Sequence, residues 1–116
     1  MSLASVVQVR MEKNVAVVSA EGYINKDGGE KVLEEGGRLL GEGIRRFVVN
    51  LDKCTMLNSV GVSILVEAID SVAEEEGTLV FCCVPKHHYQ IFEILGITQE
   101  TEIFHTEEEA LQRLSS

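Results

Sequence analysis

Residues 50–75, NLDKCTMLNSVGVSILVEAIDSVAEE, read as the end of a strand, a short loop and the start of an amphipathic helix. Val62, Leu65, Val66, Ile69, Val72 and Ala73 recur at spacings of three and four, leaving Glu67, Asp70, Ser71 and Glu74 on the other side. That period is a helix laid on a core. Asn58 has the side chain of a good N-cap, so Ser59 is the expected first helical residue, and Gly61 lets another backbone approach closely. Gly77 is the expected stop. Upstream, Phe47-Val48-Val49-Asn50-Leu51 is a near-continuous, β-branched apolar run, predicted as a central strand covered on both faces or nearly so. Ser59 therefore falls at a strand's carboxyl edge. It is expected to be exposed, where the unpaired N–H groups of a helix start favour anions and tolerate a phosphoryl group.

Toward the amino end, residues 5–12 alternate at their centre, Lys13-Asn14 turns, and residues 15–22 form a second β-rich run, an antiparallel hairpin. Residues 26–41 place Val32, Gly36, Leu39 and Leu40 at helical spacing. Gly28, Gly29, Gly36 and Gly37 would each cost that helix roughly 1 kcal/mol relative to Ala, so it is predicted to be the softest element. No Lys-Ser/Thr follows these glycine pairs and no G-x-G-x-x-G occurs, so they make no mononucleotide cradle. Arg45 and Arg46 are expected to be solvated at a strand's edge.

Toward the carboxyl end, residues 78–84 are predicted as a buried strand closed by Pro85. Residues 86–95 form a short helix with Ile91, Phe92 and Leu95 on one face, stopped by Gly96, with Ile97 packing back. Residues 102–104 make a short edge strand, and Thr106-Glu107-Glu108-Glu109 is a capping box opening a last helix. The order β-β-α-β-α-β-α-β-α predicts one α/β domain over residues 1–116. Its mixed, mostly parallel sheet of about four to five strands is begun by a β-hairpin, with helices mainly on one face.

Composition narrows the function. A chain of 116 residues, 45% apolar, can hold one core without disulfides or metal. Ten Lys plus Arg against 19 Asp plus Glu, a net charge of −9, argue against nucleic acid and for a protein partner with a basic patch. No apolar stretch reaches the length of a membrane span, and MSLASVVQVR lacks the features of a signal peptide, so a cytoplasmic location without membrane insertion is expected. Cys54, Cys82 and Cys83 are odd in number, and strand neighbours point to opposite faces, so free thiols are expected. His87, His88 and His105 have no metal-ligand spacing, and neither metal nor cofactor is expected. Between Met56 and Val66 there is no His, Lys or acidic residue, which makes nucleophilic catalysis the weakest reading. Asp52 either caps the loop or orients a hydroxyl.

Asn58-Ser59-Val60-Gly61-Val62-Ser63 follows Val49-Asn50-Leu51-Asp52, Gly22-Tyr23-Ile24-Asn25 follows the second strand, and Leu95-Gly96-Ile97 comes late in the chain. In these three places the sequence resembles the STAS domains, named after sulfate transporters and anti-sigma factor antagonists, and particularly the small free-standing bacterial antagonists. Their phosphorylation loop typically reads Asp-Ser-Ser/Thr-Gly-Leu-Gly, and the other motifs Gly-Glu-Leu-Asp and Leu-Gly-Leu/Ile. The likeness covers nearly the whole chain, with Asn25 and Asn58 standing where the family usually has Asp.

The resemblance implies the same layered fold, phosphorylation at Ser59, and a partner surface of Asn25, Asn58, Ser59, Val60, Gly61 and Ser63. It implies that the unphosphorylated protein binds a kinase-type anti-sigma factor and releases a sigma factor. Phosphorylation of Ser59 by that serine kinase would switch it off. The chain would be a substrate and not an enzyme, and a monomer when free. Two other readings stay open: a STAS subunit that binds without phosphorylation, in a lipid-transport complex or signalling scaffold, and a module for a small ligand or nucleotide. From the residues alone a plain first-turn serine is the simpler account of Ser59. The resemblance reverses that order.

Overall fold

The computed structural model describes residues 5–115, so the chain's first residues, on which the signal-peptide reading partly rests, lie outside it. Lys13 turns at φ 58°, and strand β1 (Val6–Glu12) runs back antiparallel on β2 (Val15–Ile24), from Val6↔Glu21 to Glu12↔Val15. Helix α1 (Lys26–Gly41) carries the chain to β3 (Arg46–Asn50), which lies parallel to β2. After β4 (Cys54–Leu57) and α2 (Ser59–Glu74), β5 (Thr78–Cys82) pairs parallel with β3. Helices α3 (Lys86–Ile94) and α4 (Ile97–Glu100) lead to β6 (Ile103–Phe104), parallel to β5, and α5 (Glu107–Ser115) ends the described chain.

The sheet order is β1-β2-β3-β5-β6, with β4 pairing only with the end of β2. The mixed, mostly parallel sheet begun by a hairpin is as predicted, with six strands where about four to five were expected. The extra one, β4, has only four residues, and Thr55 and Met56 are exposed, so it carries no buried apolar run to read. It is held by backbone pairing to β2 instead.

Both faces of the sheet are covered. Ala16, Val18, Phe47, Val49 and Phe81 point to the larger core with Val62, Leu65, Ile69 and Val72 of α2, Val32 and Leu39 of α1, and Phe92 of α3. Phe92 meets Phe81 edge-on, with ring centroids 5.4 Å apart. Val15, Val17, Val48, Val80 and Cys82 point the other way, against Ala110 and Leu114 of α5. The alternation along β2 and β3 is the two-sided burial that their β-branched run predicts. The capping box forms as read: Thr106 Oγ1 accepts from Glu109 N at 3.1 Å, and Glu109 Oε1 accepts from Thr106 N at 3.2 Å.

Several local readings are corrected. The α2 stripe buries Ala68 and leaves Ala73 exposed. The left-handed residue after α2 is Glu76, φ 62°, and not Gly77. Gly77 is required for space, because a Cβ there would lie 2.5 Å from the Arg45 carbonyl oxygen and 2.8 Å from Val72 Cγ1. Arg45 donates to the Leu40 and Ile44 carbonyls, and Arg46 to the Leu114 carbonyl at 2.6 Å, so both are tied to backbone and not simply solvated. Cys83 leaves the strand with φ 61°, which breaks the alternation and packs it against the same small core as Cys82. All three cysteines are free, and burial pushes the Cys54 and Cys82 thiols up. Leu95 is exposed, while Ile97 is fully buried at the start of α4, a helix too short to show a period.

The glycines of α1 divide into two groups. Gly28 and Gly29 are packed, with an added Cβ meeting Tyr23 O at 3.0 Å and Gly61 O at 2.9 Å respectively. At Gly36 and Gly37 an added Cβ meets nothing within 4 Å. The propensity cost of glycine is therefore offset by close packing only in the first half of the helix. Gly36→Ala and Gly37→Ala are expected to stabilise the protein by about 0.5 to 1 kcal/mol each. Urea denaturation measures this, and native-state hydrogen exchange should show the carboxyl half of α1 opening more slowly in the double variant.

Candidate functional site

Strands β2 and β4 end side by side, Ile24 opposite Leu57, and each is followed at once by an asparagine and a helix. Asn25 Oδ1 accepts from Gly28 N at 3.0 Å and Asn58 Oδ1 accepts from Gly61 N at 2.8 Å, so both residues are N-caps. The main chain joins the two starts, with Asn58 N donating to Ile24 O at 3.3 Å. The result is two helix N-termini on one edge of the sheet.

Glycine sets how closely they approach. A Cβ on Gly61 would collide with the Ile24 carbonyl oxygen and lie 2.8 Å from that of Asn25. One on Gly29 would lie 2.9 Å from both Gly61 O and Ile64 Cβ. No side chain fits at either position without moving backbone. Gly61 is itself buried, so its part in the loop is spacing and it offers a partner no surface.

Ser59 is the first residue of α2 and is exposed, as are Val60 and Ser63, while Asn25 and Asn58 are half-buried. Ser63 Oγ donates to the Ser59 carbonyl at 2.9 Å. The structure thus brings all six sequence-predicted residues together on the starts of α1 and α2. Asp52 is exposed and does not cap the loop; its N–H donates to Asn50 Oδ1 at 2.8 Å, so the capping side chain is Asn50. Asn50 Nδ2 also donates to Glu107 Oε1 at 2.9 Å. Burial works against the Glu107 carboxylate, but this bond and the Arg10 guanidinium together hold its pKa below the ordinary value.

Two residues beside the site, Tyr23 and Met56, were not assigned a role from the sequence. Tyr23 OH accepts from Asn58 Nδ2 at 3.2 Å, which turns the amide so that its oxygen faces Gly61 N. Its place in the Gly22-Tyr23-Ile24-Asn25 turn was the available signal. Met56 is 52% exposed and Val60 50%, an apolar pair flanking Ser59 that becomes visible only once β4 is known to be a strand. His88, half-buried, has its Nε2 buried and without a hydrogen-bond partner. Burial first, and then the neighbouring His87, lower its pKa.

The first turn of α2 contains no acidic residue. Among the described residues no cluster of His, Cys, Asp or Glu could hold a metal, and no helix is long and apolar enough to cross a membrane. The arrangement offers an exposed serine at a helix start, asparagine caps on both helices with Asp27 in the first turn of α1, and two exposed apolar side chains.

A model of the STAS domain matches residues 6–110. BtrV of Bordetella bronchiseptica, named as an anti-sigma factor antagonist, is 25% identical over 80 residues, covering 69% of each chain. An anti-sigma factor antagonist from Mycobacterium paratuberculosis superposes with a TM-score of 0.85 at 19% identity, over 97% of this chain and 96% of that one. The anti-sigma factor antagonist SpoIIAA in its unphosphorylated form gives 0.81 at 16% identity, over 95% and 96%. The Bacillus protein SpoIIAA in its phosphorylated form gives 0.74 at 17%, over 94% and 99%.

The geometry ranks substitutions in the loop. Asn58→Ala should cost about 1 kcal/mol through loss of the cap. Asn58→Asp should be nearly neutral, since a carboxylate also accepts from Gly61 N. Gly61→Ala should cost more than either, because its methyl group meets backbone and not a movable side chain. Urea midpoints of the three variants test the order.

Proposed function

The chain belongs to the STAS domain family, and from that premise we propose that it is an anti-sigma factor antagonist switched by phosphorylation at Ser59. In this reading the unphosphorylated protein binds a kinase-type anti-sigma factor through Ser59, Val60, Ser63, Asn58 and Asn25, with Met56 adding apolar contact. Binding releases a sigma factor. Transfer of a phosphoryl group from ATP to Ser59 Oγ by that kinase ends the interaction. The protein is then the kinase's substrate and catalyses nothing itself.

The observation that carries the proposal is the placement of Ser59: exposed, at the first position of α2, beside a cap that leaves its hydroxyl side open to a partner. A phosphoserine brings roughly −1.5 to −2 charge to a helix start, where anions are favoured by about 0.3 to 1 kcal/mol. Phosphorylation therefore has no reason to melt α2. It acts outward, by bulk, by the cost of stripping water from a phosphate at the interface, and by repulsion from acidic groups of the partner.

A second reading is favoured by one feature: Asn25, in the turn after β2, and Asn58, in the loop before α2, stand where the family's antagonists usually have Asp. A STAS subunit that binds its partner without being phosphorylated would have no use for them.

Incubation with serine-kinase anti-sigma factors of the same genome and ATP, followed by intact mass, separates the two. The antagonist reading expects one added phosphate, lost in Ser59→Ala. It expects Ser59→Ala to keep partner affinity and Ser59→Asp to weaken it, with a melting temperature nearly equal in all forms. Equal affinity of wild type and both variants, with no phosphate transfer, would leave the passive subunit. A marked drop in melting temperature on phosphorylation, with broadened amide signals over residues 60–74, would replace the outward mechanism by an order-to-disorder switch.

A further inference from the structure

Among the described residues, strand β1 is an open edge of the sheet, and of the devices that normally protect one it carries only the charges of Arg10 and Glu12. Its seven residues, VVQVRME, contain no proline and no glycine, and its register with β2 runs without a bulge from end to end. Its one cation is shared by two carboxylates: Arg10 Nε meets Glu12 at 2.8 Å, and Arg10 also pairs with Glu107. On a chain of net charge −9 this strip, with Arg10 against Glu12 and Glu107, keeps a single net negative charge.

The pairing shows which backbone groups the edge leaves unused. Glu12 and Val15 face each other across a two-residue turn and so form a hydrogen-bonded pair. Such pairs alternate along an antiparallel ladder, which makes 10↔17, 8↔19 and 6↔21 the other bonded pairs. The N–H and C=O groups of Val7, Val9 and Met11 therefore point outward. Beside them lies an open groove of about 490 Å³ between β1 and α1, lined by Ser5, Val7, Lys31, Glu34 and Arg38 among others. Met11, on the same side of the strand as Val7, is 42% exposed.

We infer that β1 pairs antiparallel with β1 of a second copy of this chain, about a two-fold axis at Val9, to form a reversible dimer with one continuous sheet. In that register Val9 faces Val9, and Val7 faces Met11 of the second copy, so the outward groups of these three residues satisfy one another. Each Met11 enters the groove beside Val7 of the other chain. On the opposite face Gln8 meets Arg10 and Val6 meets Glu12, which puts no like charges directly opposite each other. The interface is isologous and closed, so it makes a dimer and not a fibre. Its area is that of one strand and a groove, below the roughly 1,200 Å² of stable complexes, so the dimer is weak. The monomer expected from the resemblance is then the dilute limit.

Position 8 gives a test that leaves folding alone, because Gln8 is exposed. Gln8→Glu places a carboxylate opposite Arg10 of the second copy and should tighten the dimer. Gln8→Lys places a cation there and should loosen it, by about fivefold over the two symmetric pairs. Val9→Pro removes an outward N–H while leaving the bonds to β2 in place, and should abolish association. Sedimentation equilibrium from micromolar to millimolar protein reads all four chains, and amide exchange at Val7, Val9 and Met11 in the wild type should slow as concentration rises. A monomer throughout overturns the inference, as does a dimer indifferent to Val9→Pro and to the sign of charge at position 8. Slowing of those amides only on addition of a different protein overturns it too, and assigns the edge to that partner.

Discussion

The close approach of α1 and α2 at Gly29 and Gly61 is the constraint on which the site depends. Two parallel strand ends, at Ile24 and Leu57, launch two helices from one edge, and only glycine lets their first turns come together over the Ile24 and Asn25 carbonyls. Everything else in the loop answers to that spacing. Asn25 and Asn58 cap the helices because neither first turn is stretched away from its strand. Tyr23 reaches Asn58 because β2 and β4 are neighbours. Ser59 is exposed because the next residues, Gly61, Val62 and Leu65, face inward.

A helix start built this way is rigid on one side and open on the other. Its inner side is backbone against backbone, where a displaced atom meets no flexible side chain to absorb it. Its outer side is Ser59, Val60 and Ser63 with Met56. The proposed modification would fall on this outer side, away from the packed backbone.

The periodic parts of this architecture could be read before any coordinates. The α2 stripe, the β2 and β3 runs and the Thr106 capping box each state their structure within a few residues. What could not be read is non-local. Residues 54–57 show no run because β4 is stabilised by pairing with Gly22–Ile24 and buries little apart from Cys54. Gly77 looked like a stop signal but is small because Arg45 and Val72 crowd it. Cys82 and Cys83 share a core only because Cys83 takes a left-handed turn that strand alternation does not anticipate. In the site, the residue types named the caps, while Tyr23 and Met56 depended on which strand lies beside which.

Under the proposed switch, charge decides where a phosphate at Ser59 would be felt. Two added charges change little in the long-range field of a chain already at −9, and that field is screened beyond about 8 Å at physiological salt. The effect has to be local, so it is largest where the unmodified surface is neutral. The first turn of α2 carries no acid, and its cap and that of α1 are amides and not carboxylates. The acidic residues of α2, Glu67, Asp70 and Glu74, lie further along the helix on its solvent side. The acidic flank and the acid-free first turn of α2 are thus separate parts of one helix surface. Asn58 keeps the first turn of α2 itself free of carboxylates, while across the gap Asp27, exposed and paired with Lys31 at 3.3 Å, is the one acid in the first turn of α1.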